Sequence, residues 1–277
     1  MKVGFIGCGN MGGALALSAS YAKKEIPFTI YLADAFQEKA QELAETIAKG
    51  QEDNDCLVEV TDNETIAESC NYIFLGVKPQ MMRQMLQSIA QTLQKRSDRF
   101  VLVTMAAGLS METICEMAGQ TYPMIRLMPN TPASIGKGMI LVTSADVTEQ
   151  EKENFFTFMQ YAGKFDEIPE SMIDAGSAVS GCGPAFVYQF IEALADGAVA
   201  CGIPRANAIA YAAQTVSGAA EMVLQTKKHP GELKDAVCSP AGSTIQGVRT
   251  LEAHAFRGSV MEAVIAAYEK TKELGKK

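Results

Sequence analysis

The sequence predicts a doubly wound α/β domain followed by an all-helical domain. In the first half of the 277-residue chain, short apolar runs alternate with helix-like segments. This alternation is typical of βαβ units and of a mostly parallel sheet that is covered on both faces. After about residue 168, Ala- and Leu-rich helical segments follow one another and no strand pattern interrupts them. We therefore assign residues 1–166 to the α/β domain and residues 167–277 to the helical domain.

The α/β half is predicted from apolar runs of strand length and from the helical patterns between them. The predicted strands are 2–7, 29–34, 57–60, 72–77, 100–105, 124–128, 138–144 and 164–168. The predicted helices lie at about 8–24, 36–49, 61–69, 80–94 and 110–118, with one more opening on Thr148. Glu151, three residues after Thr148, completes the pattern of a capping box.

The helical half is predicted from proline at helix starts and glycine at helix ends. The predicted helices span about 184–201, 204–228, 230–238, the stretch from about 242, and 258–274. Their many alanines and glycines allow close helix contact but give each helix little apolar surface to bury. We expect a homodimer with shared helices, with a larger homo-oligomer left open, while a thin self-sufficient bundle is the alternative.

Composition narrows the classes of function. A hydrophobic fraction of 48% supports a packed core, and a net charge of −8 makes nucleic acid an unfavourable partner. Seven scattered cysteines without CxxC spacing, together with only two histidines, predict reduced thiols and no metal site. The opening residues enter a strand pattern directly, and no apolar run reaches membrane-spanning length, so we expect a cytoplasmic protein with no membrane partner.

The first candidate site is the glycine pattern between the first strand and the first helix. Its residues are Gly7, Cys8, Gly9, Asn10, Met11 and Gly12. Glycines at these spacings permit a tight turn, close approach of backbone to a pyrophosphate, and packing of the helix on the sheet. The helix amino terminus supplies free N–H groups and partial positive charge. The pattern predicts dinucleotide binding, although a simple glycine-rich turn has the same spacing.

Asp34 ends the second strand, 22 residues after Gly12. An acidic side chain at this position accepts hydrogen bonds from the ribose hydroxyls of the adenosine, and it repels a 2′-phosphate. Asp34 therefore favours NADH over NADPH, unless it is only a solvated residue that starts a turn.

Two further strand ends belong to the same edge of the predicted sheet. Val77, Lys78 and Pro79 lie at one, and Ala106, Ala107 and Gly108 follow the other. Ligands bind beyond the carboxyl ends of such strands, and small residues there let a flat ring lie against the backbone. The alternatives are a helix-initiating Lys-Pro and an ordinary loop.

A second anion-friendly helix start lies in the stretch SPAGSTIQG, residues 239–247. Pro240 ends the preceding helix, and a helix starting near Gly242 leaves the N–H groups of Gly242, Ser243 and Thr244 unpaired. Three such amides suit a small carboxylate, and the hydroxyls of Ser239 and Thr244 can each donate a hydrogen bond. Plain capping by Ser or Thr is the alternative.

The sequence resembles the pyrroline-5-carboxylate reductase family over its whole length. The most specific stretch is HPGELKDAVCSPAGSTIQGVRTLE, residues 229–252, supported by segments 3–15, 74–80, 126–132 and 180–205. The resemblance implies a Rossmann domain plus a helical dimerisation domain, with an active site between domains that is completed across the dimer. It implies reduction of the cyclic imine carboxylate L-1-pyrroline-5-carboxylate to L-proline by NADPH or NADH, the last step of proline biosynthesis.

The resemblance also implies roles for particular residues. Thr244 matches the catalytic threonine whose hydroxyl contacts the substrate nitrogen, and Ser239 matches a serine of the substrate pocket. The amides of 242–244 match those that hold the carboxylate. Asn63 matches an asparagine near the adenosine, and 77–79 and 106–108 match loops that contact the cofactor.

The chain departs from the family pattern at a few positions. Ala241 and Ser243 stand where the family often has Gly and Thr or Ala, which preserves the amides. Asp34 replaces a small hydroxyl residue that is common in users of NADPH. Arg126 has no derivable chemical role; it is either a buried strut or a support for the loop before the second domain.

Two other functions are compatible with these patterns. A β-hydroxyacid dehydrogenase shares the two-domain plan but needs a catalytic lysine, for which Lys227, Lys228 and Lys234 are available in a basic stretch that we expect to be exposed. A non-catalytic dinucleotide sensor would bind the cofactor without turning over an imine. The residues leave open the NADH or NADPH preference, the oligomer beyond a dimer, the range of imines and feedback by proline.

Overall fold

A computed structural model describes residues 1–24, 27–50 and 57–274. Its α/β half contains a mixed sheet whose strands are β1 (Lys2–Ile6), β2 (Thr29–Ala33), β3 (Val58–Val60), β4 (Tyr72–Leu75), β5 (Val101–Thr104), β6 (Met124–Met128), β7 (Gly138–Ala145) and β8 (Gly163–Glu167). The expected doubly wound α/β fold is confirmed.

The sheet order is β3-β2-β1-β4-β5-β6-β7-β8, and all neighbouring pairs are parallel except β6 with β7. The chain leaves β1 in one direction through β2 and β3, then returns to β4 on the other side of β1. Ile6 pairs with both Ala33 and Leu75. This register brings the ends of β1, β2 and β4 to one edge, at the switch point where such sheets bind ligands.

The helices of the first part are α1 (Asn10–Ser20), α2 (Gln37–Lys49), α3 (Asn63–Ser69), α4 (Pro79–Lys95), α5 (Met111–Ala118), α6 (Glu149–Met159) and α7 (Ile173–Ser180). Those that follow are α8 (Gly183–Ala200), α9 (Arg205–Thr226), α10 (Pro230–Ala236), α11 (Ser243–Ala253) and α12 (Phe256–Leu274). The predicted capping box at the start of α6 is present, with Thr148 and Glu151 bonded reciprocally.

Both faces of the sheet are covered, which explains why β4 and β5 read as continuous apolar runs. On one face, the rings of Phe5 and Phe74 stack at 4.3 Å and Phe155 and Phe158 of α6 pack around them. On the other face, Ile73 packs with the buried side of α4. Each fully buried side chain of this size contributes about 1.5–3 kcal/mol to folding.

Chain contacts divide the protein into two compact units. The first comprises Met1–Gly181 with the end of α12 from Tyr268, and the second comprises Cys182–Ala267. Within the second unit, α8 contacts α9 through the buried alanines Ala195, Ala208 and Ala212. The division of function between 1–166 and 167–277 stays a prediction.

Two features of the first unit differ from a simple reading of the sequence. Helix α7 was not predicted, because Gly176, Ser177 and Ser180 lower the helix propensity of its eight residues. A Cβ on Gly176 would lie 2.5 Å from Leu141 Cδ1, so a larger residue there would require the Leu141 side chain to shift. The predicted strands also end early: Asp34, Val77 and Met105 lie beyond β2, β4 and β5, in the loops at the ligand-binding edge.

Candidate active site

The glycine loop joins β1 to α1 in a conformation that requires glycine. Gly7 has φ of +102°, which is accessible to glycine and costly for other residues. Its N–H donates to the Ala33 carbonyl at 2.7 Å, and a Cβ on it would lie 2.7 Å from the Gly76 carbonyl. The loop is therefore wedged between the ends of β2 and β4.

Gly12 and Gly9 have different reasons to be glycine. A Cβ on Gly12 would lie 2.1 Å from the Gly7 carbonyl oxygen, so Gly12 lets α1 pack onto the loop. A Cβ on Gly9 would meet no described atom within 4 Å, and Gly9 is exposed. Gly9 is thus dispensable for packing, but it keeps the backbone approachable from solvent.

The amino terminus of α1 is free to bind an anion. The Gly9 N-cap has no side chain to bond, the first turn carries no acidic residue, and Gly9 and Asn10 are exposed. The first intrahelical bond runs from Gly13 N–H to the Gly9 carbonyl, so the N–H groups of Asn10, Met11 and Gly12 lack helical acceptors. These amides and the helix dipole suit a pyrophosphate.

Asp34 is bonded to this loop. Its Oδ2 accepts from the Cys8 N–H at 2.8 Å and its Oδ1 accepts from the Phe36 N–H at 2.9 Å. Burial, together with the nearby Asp34 carboxylate, raises the pKa of the Cys8 thiol to about 12. Cys8 therefore stays a neutral thiol at physiological pH and contributes packing and its backbone amide.

The loop, the end of β2 and the end of β4 border one groove of about 610 Å³. Its lining includes the predicted residues Gly7, Gly9, Asp34, Asn63, Val77 and Lys78. Cys8 and Asn10 line an adjoining groove of about 470 Å³ that shares Gly9 with the first. The described residues thus offer a dinucleotide an anion-binding helix start and an acidic strand end within one concave surface.

The other predicted cofactor residues lie in helices and in a loop, and they do not line that groove. Pro79 is the first residue of α4, with Lys78 as its N-cap, so the helix-initiating role weighed from the sequence is present. The loop 106–108 follows β5; Ala106 is buried, Ala107 is exposed and Gly108 has φ of +74°. Met11 and Gly12 lie in the first turn of α1.

Sequence reasoning missed several residues of the groove. Those not predicted include Phe36, Lys39, Gln80, Met81 and Gln84, from the loop after β2 and the starts of α2 and α4. Phe36 is 67% exposed and the Lys39 ammonium lies 5.1 Å from its ring centroid. The available signal was the position of Phe36 two residues after Asp34, in the loop that follows β2.

The second motif folds as a turn followed by a helix. Ala241 has φ of +58°, Gly242 is the N-cap, and α11 begins at Ser243. A Cβ on Gly242 would lie 2.5 Å from Ser239 Oγ, which explains the glycine. The N-cap makes no side-chain hydrogen bond and the first turn has no acidic residue, so α11 also begins as an open anion site.

One expected amide is not free in this turn. The Gly242 N–H donates to the Ser239 carbonyl at 3.0 Å, which closes the turn and corrects the prediction of three available amides that began at Gly242. Sequence spacing could not reveal this bond, because it depends on the left-handed conformation of Ala241. The helix instead leaves the N–H groups of Ser243, Thr244 and Ile245 without helical acceptors. Ser239, Ser243 and Thr244 are exposed.

Three further observations on the described residues concern metal sites, membrane-spanning helices and cysteines. No group of three His, Cys, Asp or Glu side chains converges as a metal site within them. Of the helices that the structure describes, none combines the length and the apolarity that crossing a bilayer requires. The described cysteines Cys8, Cys70, Cys115, Cys182, Cys201 and Cys238 are free thiols, and Cys56 lies outside the described residues.

Comparison with known proteins covers both halves of the chain. Residues 170–274 match the family model for pyrroline-5-carboxylate reductase dimerisation. Residues 2–108 match the model for coenzyme F420-dependent NADP oxidoreductases. The chain is 39% identical to the pyrroline-5-carboxylate reductase of Escherichia coli (strain K12) over 276 residues, which covers 99% of this chain and 98% of the relative. It is 36% identical to that of Methanosarcina acetivorans over 277 residues, covering 100% and 98%.

Solved structures give the same result. A Plasmodium falciparum pyrroline carboxylate reductase with NADP bound superposes with a TM-score of 0.82 at 31% identity, covering 99% of this chain and 98% of that one. A Coxiella burnetii pyrroline-5-carboxylate reductase superposes with a TM-score of 0.85 at 28% identity, covering 98% and 97%. Because these likenesses extend over the glycine loop and the SPAGSTIQG turn alike, the chain belongs to the pyrroline-5-carboxylate reductase family.

Proposed function

We propose that this protein reduces L-1-pyrroline-5-carboxylate to L-proline with NADPH or NADH, as the last step of proline biosynthesis. The observation that carries the proposal is the open start of α11, where the Ser243 and Thr244 amides lack helical acceptors beside the exposed Ser239 and Thr244 hydroxyls. Such a start fits a small carboxylate next to a group that needs one hydrogen-bond donor.

The dinucleotide is assigned to the first unit. The amides of Asn10, Met11 and Gly12 hold the pyrophosphate, Asp34 and Asn63 face the adenosine ribose, and the ends of β4 and β5 carry the nicotinamide half. When bound, the reduced nicotinamide supplies the hydride. Residues 77–79 and 106–108 orient that half and keep water from it.

The substrate is assigned to the turn and first helical turn at 239–244. The Ser243 and Thr244 amides bind the carboxylate, and the Ser239 hydroxyl completes the pocket. The Thr244 hydroxyl holds the imine nitrogen by a hydrogen bond and passes a proton to it from water. A protonated imine is already a strong electrophile, so positioning supplies more of the rate than a strong acid would.

The assembly is proposed to be a homodimer unit in the cytoplasm. The second unit exposes many large apolar side chains for its size, among them Tyr188, Tyr211, Met222, Leu224 and Met261. Such surfaces support contact with another copy. The free thiols support a reducing compartment. Light scattering after size-exclusion chromatography tests the assembly, and a monomer at micromolar concentration would contradict it.

The experiment for the activity is a steady-state assay with pyrroline-5-carboxylate and each reduced cofactor in turn. The expected result is oxidation of the dinucleotide at 340 nm with formation of proline. Oxidation of serine or hydroxyisobutyrate without imine reduction would favour a β-hydroxyacid dehydrogenase. The lysines that such a dehydrogenase could use for catalysis are Lys227, Lys228 and Lys234, and all three are exposed. Dinucleotide binding without any turnover would favour a sensor.

A further inference from the structure

Arg126 is a buried cation on β6 that the proposed chemistry does not use. It is 4% exposed, and the two roles weighed from the sequence, a buried strut and a support for the loop before the second domain, both stay predictions. Its Nη1 donates to Glu170 Oε1 at 2.9 Å and its Nη2 donates to Asp174 Oδ1 at 3.4 Å. Glu170 lies in the 3-10 turn Glu170–Met172, and Asp174 lies in the first turn of α7.

Glu170 has a second partner that connects Arg126 to the cofactor edge. The same Oε1 accepts from the Met111 N–H at 2.8 Å. Met111 is the first residue of α5, whose N-cap Ser110 accepts from the Thr113 N–H. Glu170 therefore satisfies a helix amide that has no acceptor within the helix, and its charge is favourable beside a helix amino terminus.

These bonds hold both ends of the loop that follows β5. At the start of the loop, Thr104 on β5 is paired in register with Arg126 on β6. At the end of the loop, Met111 is bonded to Glu170, which Arg126 holds. The loop between them contains Ala106, Ala107 and Gly108, which are assigned to the nicotinamide half of the cofactor. Arg126 thus fixes the position of this loop through the residues at its two ends, without contacting the loop itself.

Stability alone does not account for such a group. Arg126 loses its hydration on burial, while its partners Glu170 and Asp174 are 30% and 32% exposed, so the attraction offsets only part of that cost. Arg126 Nε is also buried with no hydrogen-bond partner among the described residues, which is a further cost. The arrangement gives up stability for a fixed geometry, as residues that position a site do.

We infer that Arg126 is a positioning residue for hydride transfer, acting through Glu170 on the Met111 amide to set the 106–108 loop against the nicotinamide half of the dinucleotide. The inference rests on the proposed function, because it uses the assignment of that loop to the nicotinamide half. A loop displaced by about 1 Å is enough to lower the rate of a well-oriented reaction about a hundredfold.

Substitutions at Glu170 test the contribution of the loop while the rest of the fold keeps its contacts. Asn130, also buried on the β6 side, donates to the carbonyl of Ser180 at 2.8 Å, at the far end of α7. Helix α7 therefore stays attached when Glu170 is changed. Glu170→Ala removes the acceptor for Met111 and Arg126, whereas Glu170→Gln keeps an oxygen acceptor and removes only the charge.

The test compares the dissociation constants of NADH and of ADP-ribose, which lacks the nicotinamide, by calorimetry on the full-length protein. For Glu170→Ala we expect NADH to bind about tenfold more weakly, the effect of one lost hydrogen bond, while ADP-ribose stays within about twofold. We expect kcat for imine reduction to be lower in Glu170→Ala as well. Glu170→Gln is expected to restore NADH binding to within about threefold, because the hydrogen bonds remain.

A matched control is Arg96→Met. The side chain of Arg96 is also buried, and it donates to the carbonyls of Ala67 in α3 and of Cys70 directly after α3. This variant is expected to lower the melting temperature and to leave the ratio of the two dissociation constants unchanged. A general loss of structure would therefore be recognised by weaker binding of both ligands.

A second variant keeps the test decisive if Glu170→Ala does not fold. Met111→Pro removes the N–H at the first position of α5, where proline is tolerated, together with the methionine side chain, and it leaves both partners of the Arg126–Glu170 pair in place. Its comparison is Met111→Ala, which keeps the N–H. An unchanged NADH to ADP-ribose ratio in Glu170→Ala or in Met111→Pro, measured against wild type and Met111→Ala, overturns the inference even when the wild type reduces the imine. A wild type that binds NADH but reduces no imine overturns the proposed function, and the ratio still tests the inference.

Discussion

The backbone N–H of Cys8 donates to the Asp34 carboxylate at 2.8 Å, so the glycine loop is bonded to the end of β2. The Phe36 N–H binds the other oxygen, which leaves the carboxylate fixed rather than freely solvated. Its negative charge is thereby held at the border of the groove that the glycine loop forms. A 2′-phosphate at that border would be repelled by the Asp34 carboxylate, whose orientation is fixed by these two hydrogen bonds.

Asp34→Ser is expected to shift the cofactor preference towards NADPH. The repulsion of the 2′-phosphate is lost, and the ratio of kcat/KM for NADPH to that for NADH should rise about tenfold or more, since like charges at close range in a partly buried site differ by at least about 1.4 kcal/mol. Asp34→Asn is the matched control because it keeps an oxygen for the Cys8 N–H and removes the charge. An unchanged ratio in both variants would show that Asp34 does not face the ribose.

Gly9→Ala is expected to impair dinucleotide binding, whereas Gly12→Ala is expected to impair the stability of the protein. A Cβ on Gly9 meets no described atom, so Gly9→Ala should keep the wild-type melting temperature. It should nevertheless weaken dinucleotide binding at least about tenfold, because the methyl group keeps the pyrophosphate from the helix amides. In Gly12→Ala the methyl group would lie 2.1 Å from the Gly7 carbonyl, so the protein itself should be destabilised. Calorimetry measures the loss of dinucleotide binding and thermal unfolding measures the loss of stability. Equal Kd values for wild type and Gly9→Ala would show that the pyrophosphate does not bind at this loop.

The cap at Asp62 gives a pH dependence of stability. The Thr65 N–H and then the Thr65 hydroxyl stabilise the Asp62 carboxylate and hold its pKa below the ordinary value of 3.8. Because the folded pKa is below the unfolded one, the contribution is complete above about pH 4 and is lost as pH falls through the folded pKa. Asp62→Ala should therefore lower the free energy of unfolding by about 1 kcal/mol at pH 7, the usual value of an N-cap.

Urea unfolding at pH 7, 5 and 3 checks this expectation. The difference between Asp62→Ala and wild type should be the same at pH 7 and 5 and smaller at pH 3. Ser110→Ala removes a neutral N-cap from α5, so its difference from wild type should not change with pH. A difference for Asp62→Ala that grows on acidification would contradict the assignment of the carboxylate as the cap.

The local parts of the fold and the site were predictable because short-range rules govern them. The glycine spacing, the capping box at Thr148 and the strand β6 were predicted from residues within a few positions of one another. The strand ends were placed too late at Asp34 and Val77, since an apolar pattern does not reveal where a ladder of hydrogen bonds stops. The family resemblance, which needs the whole chain, supplied the substrate.

The long-range bonds were not predictable from patterns. Glu170 lies 59 positions from Met111 and 44 from Arg126, and a charged residue in a loop reads as solvated until the fold brings it to a helix start. The bond from Gly242 to Ser239 is local but depends on a left-handed alanine, which few sequence rules anticipate. The Met111 and Gly242 bonds are made by backbone amides, whose partners a sequence does not name.

Thr244→Ala is expected to lower kcat about tenfold or more while NADH binds as in the wild type. Thr244 is exposed in the first turn of α11, so the change removes a hydroxyl from the proposed substrate site without disturbing a packed core. The size follows from the usual contribution of a positioned proton-transferring or orienting group. Thr244→Ser keeps the hydroxyl and should recover most of the rate, which separates chemistry from the loss of a methyl group. Stopped-flow reduction at saturating NADH measures the step directly. Wild-type turnover in Thr244→Ala would mean that the substrate nitrogen takes its proton from water alone, and the amides of α11 would then be the main contribution of this helix to the reaction.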